Sequence, residues 1–265
     1  MIRTVLLIFT LVLALAGGAR AEFNHKIWDN LLQQHVRVIN GGKATQVDYR
    51  GLAKSHSILT GYLDTLSAIS QTDFDTWPKS NQLAFLINAY NGWTVELILS
   101  RYPDLTSIKD LGSLFQSPWK KKFIPLFGKQ LSLDDIEHGL IRGSGRYNDP
   151  RIHFAVNCAS IGCPALKNRA YRGEILDQQL EEATTSFLTD RSRNRLKNKT
   201  LEVSSIFKWY RDDFEKGWRQ ANTLGQFFAL YGESLGLDAE TRKSVAAGRI
   251  GIDFLDYDWQ LNDVK

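Results

Sequence analysis

Apolar positions along the chain recur at helical spacing in several windows. Ile27, Trp28, Leu31 and Leu32 open an N-terminal helix, and Gly41-Gly42 marks a turn. Residues 47–52 read as a short extended piece. Residues 55–69 are again helical, with Ile58, Leu59, Tyr62, Leu63 and Leu66 on one face. Residues 81–101 are the most apolar helical stretch after the leader, with large side chains around nearly the whole circumference, which predicts a helix buried at the centre. Residues 123–133 carry Gly128-Lys129 between two short apolar runs and predict a hairpin. Ser132 is placed to cap a helix over 133–142. The period changes to two at Ile152, Phe154 and Val156, which predicts a strand ending at Asn157-Cys158 in a small-residue loop. Amphipathic helices follow over 173–188, 204–218 and 223–235. Residues 250–261 alternate, slip phase after Phe254, and predict a bulged strand as sheet partner of 152–156. These elements predict an α+β fold: a mostly helical single domain, residues 22–265, around a small, mainly antiparallel sheet, with 22–80 as an N-terminal helical layer.

The first 21 residues change the picture of where such a domain works. Arg3, an apolar run over 5–16 and the small-x-small triplet Ala19-Arg20-Ala21 predict a cleaved signal peptide and export to a periplasmic or secreted location. The apolar run is short for a membrane span, so no stable membrane insertion is expected after cleavage. Removing Arg3 and Arg20 leaves 31 basic against 29 acidic residues, a net of +2, where the full chain has 33 against 29 and +4. That charge is too small to imply a nucleic-acid partner. The 244 residues left (265 minus 21) are enough for a substantial core.

Candidate chemistry concentrates in a few places. Cys158 and Cys163, the chain's two cysteines, flank the small-residue loop. Export and the even count favour a disulfide between them. A thiol nucleophile at Cys158, at a strand end before a loop able to offer backbone N–H groups, is the second possibility. It needs a base and an orienting group. Glu137 falls inside the apolar stripe of Leu133, Ile136, Leu140 and Ile141, where a carboxylate must be paired, hydrogen-bonded or protonated. His138 stands beside it at the edge of the stripe. On a continuous strand His153 has the opposite parity to Cys158, so His138 is the preferred base, with Glu137 completing a Cys-His-Glu set. Metal binding by Cys158, Cys163, His153 and His138 is a third possibility, but neither C-x-x-C nor H-E-x-x-H spacing occurs; no metal and no cofactor are expected. Asn88 and Asn91, three apart on the central helix, either tie it to loop backbone or line a polar cleft together with His153 and Asn157.

Five stretches occur in order: FLINAYN (85–91), LSLDDIEHGLIR (131–142), DPRIHFAVNCASIGCPAL (149–166), IFKWYRDDF (206–214) and YDWQLN (257–262). Together they resemble the family of domain of unknown function 547, found in bacteria and plants, over most of the chain from about Asn81. The family's landmarks map onto Asn88, Asn91, Glu137, His138, His153, Cys158 and Cys163. The resemblance implies no established activity. It does imply that a Cys158–Cys163 bond is not obligatory across the family, because plant relatives keep a cysteine at the first position and not at the second. The expected function is a thiol-dependent hydrolase or acyltransferase acting on a peptide-like or envelope-derived amide. The alternative is a non-catalytic module that binds a small molecule or a partner protein and carries a structural disulfide.

Overall fold

The computed structural model describes residues 22–113 and 115–264; the leader expected over 1–21 lies outside them. Helix α1 (Lys26–His35) leads into an antiparallel hairpin of β1 (Val36–Ile39) and β2 (Ala44–Val47). The extended piece expected over 47–52 ends at Val47. Asp48 accepts a hydrogen bond from the Gly51 backbone N–H (2.8 Å) and starts helix α2 (Tyr49–Lys54), so capping overrides the local apolar alternation. Helix α3 (His56–Ser67) buries Leu59, Tyr62, Leu63 and Leu66, whereas Ile58 lies on its outer side and is 53% exposed. Trp28 of α1 stacks on Tyr62 of α3 with ring centres 5.8 Å apart. After α4 (Gln71–Asp75), helix α5 (Lys79–Leu99) runs through the first core, with Phe85, Leu86, Ile87 and Ala89 fully buried, as its all-round apolar sequence requires.

The hairpin expected over 123–133 is β3 (Ile124–Leu126) and β4 (Lys129–Leu131), turning through Phe127 and Gly128, both at positive φ. Ser132 then accepts from the backbone N–H of Asp135 (3.1 Å), and the helix that follows, Asp135–Arg142, is wound as a π-helix. The strand expected over 152–156 is instead a 3₁₀ helix, Pro150–Phe154. Asp149 caps it by accepting from Arg151 N–H (2.9 Å), and proline at its first position carries the helical φ. Residues 150–157 are all buried, so no solvent face exists for a period of two to report.

Helix α6 (Leu176–Thr189) leads to a second, smaller core. Here β5 (Arg195–Lys197) pairs antiparallel with β6 (Thr200–Ser204), and β6 pairs parallel with β7 (Gly251–Leu255). The helix expected over 204–218 is broken into α7 (Ile206–Trp209) and α8 (Arg211–Phe214). With α9 (Leu224–Leu230) and α10 (Ala239–Ala246), these make the crossover between the parallel strands. The partner of β7 is therefore β6 and not 152–156. The fold is α+β and mostly helical, its strands divided among three small sheets. The 3₁₀ segment lies at the seam of the two cores: Ile152 and Ala155 pack into the first, Phe154 into the second against Phe187, Phe207 and Phe214.

Candidate functional site

The loop that carries the cysteines is fastened from several sides. Arg151, its side chain 5% exposed, pairs with Asp149 (2.7 Å), Asp177 (2.6 Å) and Glu181 (2.9 Å) and pins the 3₁₀ segment to α6. Asn91 of α5 donates to the Ala155 carbonyl (2.9 Å) and accepts from the Asn157 N–H (2.8 Å). Asn157 in turn accepts from Ala159 N–H and donates to the Pro164 carbonyl (2.8 Å), closing the loop on itself. Its far side is zipped to the C-terminal segment, where Ile161 N–H meets Gln260 O and Gly162 N–H meets Asp258 O, both at 2.8 Å. A side chain at Gly162 would meet that same Asp258 oxygen at 2.9 Å, so the close approach requires glycine. Cys158 and Cys163 are joined in a disulfide with Cα atoms 6.2 Å apart, and Cys158 N–H donates to Cys163 Sγ (2.8 Å). Both cysteines are thereby bonded, and neither thiol is free.

One face of this disulfide opens into a cavity of about 190 Å³. Cys158 is partly exposed there, while Cys163 is buried. Cys158 Sγ lies 3.2 Å from both the Ser160 and the Tyr257 hydroxyls. The π-helix brings Glu137 and His138 to the cavity, α5 brings Tyr90, the 3₁₀ segment brings His153, and α7 with its successor residue brings Trp209 and Tyr210. Trp209, Tyr257, Trp259 and Trp119 make a continuous aromatic wall, with successive ring centres 4.9, 4.5 and 5.8 Å apart. Drug-sized ligands occupy roughly 300–1,000 Å³, so this cleft suits a small molecule or the end of a longer one.

Glu137 is buried as its place in the apolar stripe implies, 3% exposed, and its Oε1 has no partner. Burial, then the charge of Glu137 and the approach of each hydroxyl to its carboxylate, raise the pKa of Tyr90 and Tyr210 well above the usual tyrosine value. The two histidines are held in opposite ways. His138 Nδ1 lies 2.8 Å from Arg142 Nη1, which can only donate, so its proton sits on Nε2, facing Asp134 at 3.6 Å. His153 Nε2 lies 2.8 Å from Asp213 Oδ2, which can only accept when ionised, so its proton is committed there. Nδ1 of His153 is then a lone pair, buried and without a partner. Burial lowers the His153 pKa, with the Asp213 hydrogen bond opposing, so the ring is neutral at pH 7. Against the upward push of burial, hydrogen bonds from His153, Arg142 and Lys216 hold Asp213 far below the usual carboxylate range. The ring of His153 also stacks on Tyr210, centres 3.9 Å apart.

Of the residues singled out in the sequence, Glu137, His138, His153, Cys158 and Cys163 meet at this cavity. Because no strand runs from 152 to 158, the parity that set His153 apart from Cys158 does not operate, and both line the same space. Asn88, Asn91 and Asn157 do not line it. Asn88 grips Tyr171 at both its backbone O (2.7 Å) and N (3.0 Å), so these amides build the frame that holds the site. Sequence reasoning missed Asp213, Tyr210, Tyr257 and Trp259, although all four sit in the stretches IFKWYRDDF and YDWQLN. Among the described residues, no three His, Cys, Asp or Glu side chains converge as metal ligands.

Residues 74–188 match a family model described as "Protein of unknown function, DUF547". The matched stretch contributes Tyr90, Glu137, His138, His153 and both cysteines to the cavity; Tyr210, Asp213, Tyr257 and Trp259 lie beyond it. No curated protein and no solved structure matches the chain.

Proposed function

We propose, taking the chain as a member of the DUF547 family through residues 74–188, that it is a ligand-binding protein that works through this cleft, with the Cys158–Cys163 disulfide holding one wall in place. One observation carries the reading. Two side-chain atoms that water would otherwise satisfy, Glu137 Oε1 and His153 Nδ1, are buried without partners in residues lining the same cavity, behind an aromatic wall. Unsatisfied buried polar atoms cost about 1–3 kcal/mol each, so two at one cavity are atoms that a bound molecule can satisfy. The disulfide and the leader pattern of residues 1–21 together favour an exported, periplasmic or secreted protein. The test is a thermal-shift screen of small polar and aromatic compounds against the oxidised protein and a Trp209→Ala variant. Stabilising compounds that lose their effect in the variant support the reading. If every hit acts equally on the variant, the cleft is not the binding site.

A second reading rests on a specific observation: the sulfur facing the cavity is Cys158, with two hydroxyls at 3.2 Å able to hydrogen-bond a thiolate. Once the disulfide is reduced, Cys158 would be the nucleophile of a thiol-dependent hydrolase or acyltransferase acting on a peptide-like or envelope-derived amide. His153, oriented by Asp213, would be its base in place of His138, whose Nδ1 is tied to Arg142. Iodoacetamide labelling of the reduced protein at pH 7 decides this. Rapid alkylation at Cys158, slowed in His153→Ala, supports a nucleophile. Alkylation of both cysteines at the rate of free cysteine leaves only a structural crosslink.

A further inference from the structure

Two acidic side chains line the cleft. Asp134, just before the π-helix, and Glu137 within it both face the cleft, and among the described residues no lysine or arginine does. Burial, and also the charge of Glu137, raise the Asp134 pKa, while the proximity of His138 opposes. The basic groups nearby pack against side chains that line the cleft without lining it themselves. Arg142 is spent on Asp213, His138 and the face of Tyr210, and Lys109 sits over the Trp259 ring at 3.8 Å. Lys120 lowers the Asp134 pKa by its charge. Of the two histidines, His153 adds no charge, because burial lowers its pKa, and His138 Nε2 faces Asp134 at 3.6 Å. Trp209 of the aromatic wall is 47% exposed.

We propose that the cleft recognises a small organic cation, an ammonium group carried on an aromatic or aliphatic body. The charged head meets the Glu137 carboxylate, with Asp134 beside it, and the body lies against Trp209, Tyr257 and Trp259. Three features favour an organic cation over an inorganic one. No third carboxylate or histidine joins Asp134 and Glu137 as a metal ligand among the described residues. The wall is aromatic, and aromatic faces attract alkylammonium groups. The cavity is long enough to line both the buried carboxylate and the half-exposed Trp209. This inference rests on the ligand-binding reading and adds the chemistry of the ligand.

Isothermal titration of the oxidised full chain with benzylammonium, benzyl alcohol and benzoate tests it, since the three probes share a shape and differ in charge. Benzylammonium is expected to bind about 10-fold tighter than benzyl alcohol, with benzoate weakest, the combined effect of a buried carboxylate and cation–π contact. Glu137→Gln, which keeps the side-chain shape, is expected to remove the preference for the cation, and Trp209→Ala to weaken both bound probes. Should Glu137→Gln fail to fold, Asp134→Asn gives the same comparison from the partly exposed acid. Equal binding of benzylammonium and benzyl alcohol, or tighter binding of benzoate, in a manner sensitive to Trp209→Ala overturns the cation and leaves the binding cleft standing. Absence of binding by all three at millimolar concentration overturns both.

Discussion

The amide of Asn91 ties the central helix to the cysteine loop, and its removal has a calculable cost. It is 2% exposed, donates to Ala155 O at 2.9 Å and accepts from Asn157 N–H at 2.8 Å. Asn91→Ala leaves one buried carbonyl and one buried N–H without partners. At about 1–3 kcal/mol for each group, less what the carbonyl recovers through its second lone pair, the loss is about 3 kcal/mol. Against a total of about 5–15 kcal/mol for a domain, that is a large fraction. Asn91→Asp isolates the two bonds. It preserves the acceptor for Asn157 N–H but sets a carboxylate oxygen against the Ala155 carbonyl, so it destabilises at least as much at pH 7 and recovers as the acid protonates. Urea denaturation gives the free energies, and hydrogen exchange at the Asn157 amide gives the local effect. A loss below about 1 kcal/mol with an unchanged m-value, or an Asn157 amide that stays protected in Asn91→Ala, would refute the assignment of the frame to this residue.

His25, 6% exposed with Nδ1 2.8 Å from the Tyr62 hydroxyl, has its pKa lowered by burial to about 3. The unfolded chain binds the proton first, so its contribution is complete above about pH 6.5 and is lost as pH falls toward 3, about 2 kcal/mol by pH 5; His25→Phe should flatten that part of the stability–pH curve, and an unchanged slope contradicts it. Reducing the disulfide opens a loop with a sequence separation of 5 and should cost about 2 kcal/mol, read as a lower urea midpoint; a loss of all cooperative unfolding contradicts a merely local crosslink. Arg151→Met should cost about 2–3 kcal/mol, less than a fully buried pair because Asp177 is 83% exposed, and Arg151→Lys should not restore it, since one ammonium cannot reach Asp149, Asp177 and Glu181 together; full recovery by lysine contradicts the forked geometry.

What the sequence made legible follows from the range of the interactions involved. Helix α5 shows itself because a helix wrapped in core must be apolar on every side, and Glu137 because one carboxylate interrupts a local stripe. The 3₁₀ helix at Pro150–Phe154 was hidden because both of its sides are buried in different cores, which mimics the alternation of a strand. Asp213 was hidden for a different reason. Within its own segment it lies opposite the core face of Ile206, Phe207 and Phe214, and its partner His153 is 60 residues away. The phase slip after Phe254 looked like a bulge. In the structure β7 simply ends at Leu255, and Tyr257 and Trp259 turn toward the cleft.

The π-winding of Asp135–Arg142 gives the two cores a common boundary at the site. Its closing bond runs from Gly143 N–H to the His138 carbonyl at 2.8 Å, five residues back, and a side chain at Gly143 would meet that oxygen at 2.6 Å. The helix thus ends tightly after Arg142, whose guanidinium reaches both His138 on its own helix and Asp213 on α8 of the second core. Glu137 shares its helix with Ile136 and Ile141 of the first core, while Tyr210 packs on the second and Asp213 shares α8 with Phe214 of that core. Any ligand filling the cleft touches side chains anchored in both. A ligand present at 100 times its Kd should therefore stabilise the chain by about 2.7 kcal/mol, with slowed amide exchange in α5 and in α7 alike. Protection confined to one core would mean that the ligand sits on a single wall and does not bridge the seam.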